Sequence, residues 1–278
     1  RGILQGIQHF SALAANLSME MVVRCGSLAA LLFLGTAVSG AAAAVLLGTA
    51  SAYLIGIFAL RHQLRSGGER AALRTMAGFT FTATAGTLGI LLLYNVDVIL
   101  AKHYLTGHQA GIYGALNKIA TILYFLTLSV SQVLFPRVVE ALATNNHPGR
   151  LLAMSAGLQA LLGAGALLVF AIAPGLVVTI LFGAGFLDAR SYIFMVGVIG
   201  LALSLCNLLV QFFMAAHDHW FIPLLAAGVT LLATAIVLNH GGVGAVVSDV
   251  LISMLALFGA LILRLLLLLP RLHPVTPV

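Results

Sequence analysis

Apolar runs of roughly 20 residues alternate along the chain with short polar, glycine-rich connectors. Eight runs can be drawn: 10–37, 40–60, 75–100, 111–135, 151–172, 191–215, 220–238 and 245–268. Each is long enough, as a helix, to cross the roughly 30 Å hydrocarbon core of a bilayer. Backbone amides in lipid must be paired internally, which leaves helices or closed barrels. Barrel strands alternate in polarity over roughly 10 residues, and these runs do not. The pattern predicts an all-α polytopic membrane protein with eight transmembrane helices. Connectors are read at Arg61-His62-Gln63-Leu64-Arg65-Ser66-Gly67-Gly68, Asn145-Asn146-His147-Pro148-Gly149 and Asn239-His240-Gly241-Gly242.

Polar residues inside the runs fall on stripes. Thr80, Thr84, Thr87 and Tyr94 share one helical face, as do Tyr113, Asn117, Thr121, Tyr124 and Ser131. A third stripe is Gly197, Gly200, Ser204, Asn207 and Gln211. Small and hydroxylated members suit close helix packing, which is the preferred reading for Thr80/Thr84 and Gly200/Ser204. Asn117, Tyr124, Asn207 and Gln211 are bulkier, and a hydrated cavity competes evenly with packing for them.

Composition supports lipid as the solvent. Apolar residues make up 62% of the chain and charged ones 7%, against about 45–50% and about 25% in soluble domains. So few charges could not cover a soluble fold of this size. The net charge is +6, but the basic residues sit in short connectors, which argues against nucleic acid as a partner. Their placement also sets an orientation. With the N-terminal end in the cytoplasm, Arg1, Arg61, Arg65, Arg70, Arg74, Arg137, Arg150, Arg264 and Arg271 lie inside, and Lys102 and Arg190 outside. Arg24 and Lys118 fall within spans. Both ends of the chain are then cytoplasmic. The chain opens on Arg1 without a cleavable leader pattern, and the expectation is a fragment whose N-terminus lies upstream.

Ionisable groups inside spans are expensive, about 2.5–3.5 kcal/mol for Arg or Asp at mid-span. Glu20 and Arg24, four residues apart, can pair along one face; the alternative is a snorkelling pair at the cytoplasmic boundary. Lys118 sits two turns into its span, within snorkelling reach of the outer interface. Asp97 is near the outer end of its span, solvated or paired with Lys102. Cys25 and Cys206 read as packing residues. His217 and His219 flank Asp218 without further ligands, so an interfacial loop is expected there and no metal site. No nucleotide-binding or hydrolase motif is present, and neither cofactor nor catalytic residue is predicted.

One stretch is more specific. It runs Tyr94-Asn95-Val96-Asp97-Val98-Ile99-Leu100-Ala101, then Ala110-Gly111-Ile112-Tyr113-Gly114-Ala115, Lys118-Ile119 and Val133-Leu134-Phe135-Pro136-Arg137-Val138. It resembles the start of the C-terminal half of polysaccharide-biosynthesis proteins, the oligosaccharide-lipid flippases of the MOP (multidrug/oligosaccharidyl-lipid/polysaccharide) exporter superfamily. Leu181-Phe182-Gly183-Ala184-Gly185-Phe186 is similar to that family's loop after the ninth helix. Gly2-Ile3-Leu4-Gln5-Gly6-Ile7-Gln8-His9-Phe10 is similar to the entry to the fifth.

The resemblance implies helices five to twelve of a two-lobed transporter with a central cavity. Residues 1–60 would be the last two helices of the N-terminal lobe, 61–74 a basic cytoplasmic connector, and 75–278 the six-helix C-terminal lobe. It also implies a flippase for lipid-linked oligosaccharide in the bacterial cytoplasmic membrane, not an enzyme. The bilayer, the lipid-linked glycan and other envelope-glycan assembly proteins are the implied partners. Arg24 and Lys118 are candidates for the anionic head group. Asn117, Tyr124, Asn207 and Gln211 are candidates for sugar or water, and Glu20 and Asp97 for ion coupling. The competing readings are a multidrug-and-toxin antiporter, a lipid-linked peptidoglycan precursor flippase, a membrane glycan polymerase and a structural scaffold. A polymerase would need a large external loop with acidic or basic groups, and 173–190 holds only Asp188 and Arg190.

Overall fold

The computed structural model describes residues 10–65, 73–144 and 148–272. The opening segment 2–9 of the family resemblance lies outside them, as do the connector residues 66–72 and 145–147. Among the described residues every regular element is helical, and eight helices are long and apolar enough to cross a membrane. The chain divides into two compact units, with the boundary between Ala72 and Leu73.

The first unit is a helical hairpin of α1 (Phe10–Phe33) and α2 (Ala37–Arg65). Gly35 closes it, at φ +76, a left-handed conformation that glycine adopts without Cβ strain. The Thr36 amide donates to the Leu31 carbonyl and the Gly35 amide to that of Leu32, the paired bonds of a Schellman stop. A stripe at every fourth position of α2 (Gly40, Ala44, Gly48, Ala52) lies buried. Small residues let α1 approach closely: a Cβ at Gly48 would meet the Arg24 Cβ at 3.0 Å and the Glu20 carbonyl at 3.2 Å. α2 stays helical through Arg65, so the first five residues of the connector read at 61–68 continue the helix.

The second unit comprises α3 (Leu73–Tyr104), α4 (Gly107–Ala143), α5 (Pro148–Ile172), α6 (Pro174–Phe182), a 3-10 helix (Ala184–Tyr192), α7 (Ile193–Ala215), α8 (Phe221–Leu238) and α9 (Val243–Leu272). α7 is the central rod. It packs against α3, α4, α5 and α9, and most of its residues are buried. Gly200 is where α4 comes nearest: a Cβ there would lie 2.7 Å from the Ala120 carbonyl oxygen. The packing reading holds for this glycine. On the far side a Cβ at Gly163 of α5 would meet Leu201 at 2.5 Å. Outward positions are apolar, among them Leu91, Leu161, Leu168, Leu263 and Leu266, as lipid contact requires.

Several boundaries differ from the sequence reading. α4 begins at a capping box, with Thr106 Oγ1 accepting from the Gln109 amide and Gln109 Oε1 from the Thr106 amide. It then runs past Phe135-Pro136 to Ala143, so that motif does not end the helix. A proline loses one backbone bond, which spanning helices tolerate. The connector 173–190 is not a plain loop. Pro174 starts a nine-residue helix that stops at Gly183 (φ +85), and the 3-10 segment follows.

Thr80, Thr84 and Thr87 lie on the exposed face of α3 within this unit and are not sealed between its helices, whereas Thr82 is buried. The end of α7 is a second Schellman stop. His217 takes φ +54, and the amides of His217 and Asp218 donate to the carbonyls of Met214 and Phe213.

Candidate functional site

Four polar arrangements sit inside these apolar helices. In α1, Asn16 is buried and its Nδ2 donates 2.7 Å to the Ala52 carbonyl. One turn on, Glu20 is 6% exposed and accepts from Arg24 Nη2 at 3.0 Å. The pair thus forms along one helix face, lowering the cost of holding either charge in lipid. Arg24 is half-buried, and its Nε has no acceptor.

The second arrangement joins α3 to α4. Tyr113 and Asn117, one turn apart on α4, both donate to Asp97 Oδ2, at 2.5 and 3.1 Å. Asp97 is 4% exposed, so it is neither solvated nor aimed at Lys102, which is exposed. Its Oδ1 is buried with no partner. The cluster therefore presents one carboxylate oxygen already satisfied and one open. Asn117 is used here as a donor inside a closed cluster, not as the lining of an open chamber. Two turns along, Tyr124 stacks on Tyr94 with ring centres 6.1 Å apart.

The third arrangement is a clamp across three helices, and the sequence reading missed its centre. Gln159 of α5 is wholly buried. Its Nε2 donates to the Thr127 carbonyl at 3.1 Å and to Ser131 Oγ at 2.8 Å, and its Oε1 accepts from Ser204 Oγ at 3.0 Å. The hydroxyls of Thr127 and Ser204 bond to each other. Ser131 and Ser204 lay on the predicted stripes. Gln159 shares its apolar run with Ser155, one turn before it, and a lone amide side chain in such a run was the available signal.

At the α7–α8 turn, Arg264 of α9 grips Asp218 with two bonds, 2.8 Å from Nε and 2.6 Å from Nη2. The same guanidinium sits 5.5 Å from the Trp220 ring centre. The turn is thus held by an ion pair, and among the described residues no group of three or more His, Cys, Asp or Glu could hold a metal.

The remaining predicted residues are dispersed. Lys118 is exposed, on the face of α4 opposite the Asp97 cluster, with Ile122 and Phe125. Asn207 is buried and its Nδ2 has no partner; Gln211, one turn on, is half-buried. At the end of the unit carrying the α4 capping box, an open cleft of about 700 Å³ is lined by His108, Asp188, Arg190 and Tyr192 among others. Asp188 and Arg190 come from the connector read at 173–190.

The sequence profile of the family described as "Polysaccharide biosynthesis protein" matches residues 1–142. That span takes in the Glu20–Arg24 pair and the Asp97–Tyr113–Asn117 cluster. Neither a curated protein nor a solved structure gave a match.

Proposed function

The chain belongs to the polysaccharide biosynthesis protein family and is a multi-pass membrane protein; from that premise we propose that it flips lipid-linked oligosaccharide across the bacterial cytoplasmic membrane. Family membership supplies the transport class. The observation that carries the substrate assignment is Arg24. A guanidinium inside an apolar span, with one carboxylate partner and Nε unspent, is suited to a phosphate oxygen of a polyprenyl-pyrophosphate head group. Lys118, exposed within its span, is the second cation of this kind. Asn207, Gln211 and Tyr124 would serve sugar hydroxyls or water, with Asn207 Nδ2 the donor still free.

Coupling is assigned to Asp97. Its open Oδ1 offers a place for a proton or small cation, and Tyr113 and Asn117 hold the other oxygen in position. Glu20 is the second candidate, tied to Arg24 so that head-group contact and carboxylate charge are linked. Both chain ends are placed in the cytoplasm by the Lys/Arg count, and enzymes of envelope-glycan assembly are the expected partners.

The test is glycan export in cells carrying the full-length protein. Arg24→Ala together with Lys118→Ala should abolish export while the protein still reaches the membrane. Unchanged export would reject the head-group assignment.

A further inference from the structure

We propose that the groove between α5 and α9 of the second unit holds one acyl chain of an anionic bilayer phospholipid, with Arg150 receiving its phosphate. The groove, of about 420 Å³, is floored by Leu208 of α7. Ala153, Ala156 and Gly157 form one wall, and Phe258 and Leu265 the other. Almost no polar surface faces it, so hydrocarbon is the chemistry it accepts.

Length selects the occupant. On α5 the groove runs from Gly149 to Ala160, which at helical rise is about 16 Å. That is about half the hydrocarbon thickness of a bilayer, the depth of a single leaflet. An acyl chain of a resident phospholipid fits this depth, whereas a long isoprenoid would overrun it. At one end Leu269 closes against Gly149, where an added Cβ would lie 3.2 Å away.

Charge complements the same end. Arg150 is exposed in the first turn of α5, at the boundary of the span Pro148–Ile172. It stands seven residues before Gly157, hence two turns away on the same face, at the rim of the groove. Among the described residues Arg150 has no hydrogen bond or ion pair, whereas Arg264 of α9 is held by Asp218. Arg150 is thus placed for an acidic head group whose chain lies alongside.

Gly157 provides the means to block the site, because a Cβ there meets nothing within 4 Å and a larger side chain would enter the groove without displacing protein. The whole chain, purified in detergent, would be titrated with phosphatidylglycerol or phosphatidylcholine bearing palmitoyl chains, and bound lipid counted by native mass spectrometry. Phosphatidylglycerol should be retained about fivefold better than phosphatidylcholine, the weight of one basic side chain at an anionic head group. Arg150→Gln should bring that ratio to about one with both lipids still bound. Gly157→Leu should abolish retention of both without changing the thermal unfolding midpoint. Retention unaffected by Gly157→Leu, or equal retention of the two lipids by the unaltered chain, would overturn the proposal. So would a species of twice the chain's mass that Gly157→Leu removes, since a second copy would then fill the groove.

Discussion

Replacing Gln159 by leucine isolates the clamp that joins α4, α5 and α7. The side chain stays similar in bulk, so the loss is polar. Three bonds disappear: two donated by Nε2, to the Thr127 carbonyl and Ser131 Oγ, and one accepted from Ser204. Interhelical hydrogen bonds in membrane proteins average about 0.6 kcal/mol, so three amount to about 2 kcal/mol. Ser204 keeps the Thr127 hydroxyl, but Ser131 Oγ loses its side-chain partner in a fully buried site. A buried polar group without a partner costs about 1–3 kcal/mol, so the total loss should be about 3 kcal/mol. Adding Ser131→Ala to Gln159→Leu removes the abandoned hydroxyl and should return about 1 kcal/mol. The assay is unfolding of the purified chain in mixed micelles titrated with a denaturing detergent, read by circular dichroism. If Gln159→Leu costs less than about 0.5 kcal/mol, the range of an ordinary surface substitution, the clamp does not hold the helices. If adding Ser131→Ala makes matters worse, the assignment of the hydroxyl is wrong.

Gly200→Ala should destabilise by about 1–3 kcal/mol, because the added methyl meets the backbone of Ala120, which cannot rotate aside; Gly157→Ala, in open space, is the control in the same unfolding assay. Asp218→Ala should cost about 1.5–3 kcal/mol through its two bonds to Arg264, and Arg264→Met in that background should recover part of the loss, as the folded fraction in detergent will report. Glu20→Ala strands Arg24 in lipid and should lower membrane insertion by about 2.5–3.5 kcal/mol, whereas Glu20→Ala with Arg24→Leu should insert normally in a glycosylation-mapping assay. Asp97→Asn in the full-length protein should stop glycan export with membrane levels preserved, and Tyr113→Phe, which removes one of two donors, should only slow it; normal export by Asp97→Asn would discard the coupling role.

The eight long helices were legible because lipid imposes a coarse rule: a spanning segment must be apolar for its whole length. The burial of Asn117, Thr121 and Ser131 was legible for the same reason, since a polar stripe has to turn from lipid. Spacing alone also paired Glu20 with Arg24. What the sequence withheld is which helix each stripe would meet. Gln159 has Ser155 one turn before it on its own helix, but its bonded partners come from α4 and α7, and one-dimensional periodicity cannot supply them. The threonines of α3 carry the same spacing as the buried stripe of α4, yet they face outward within their unit, because a hydroxyl can return its proton to its own helix. Thr87 does so, donating to the Ala83 carbonyl at 2.8 Å. Asp97 looked like an end-of-helix group until the fold set two donors beside it. The small-residue stripe of α2 was present at regular spacing, but alanine and glycine count as apolar and vanish into the run.

That α2 stripe bears on the order of assembly. A tight three-residue turn joins α1 to α2, so the bonded partners Asn16 and Ala52 are only 36 positions apart. Loop closure over so short a span carries little entropic cost. The two rods can therefore zip together while the ribosome is still translating the rest of the chain, and the Glu20–Arg24 charges enter the membrane already neutralised by each other.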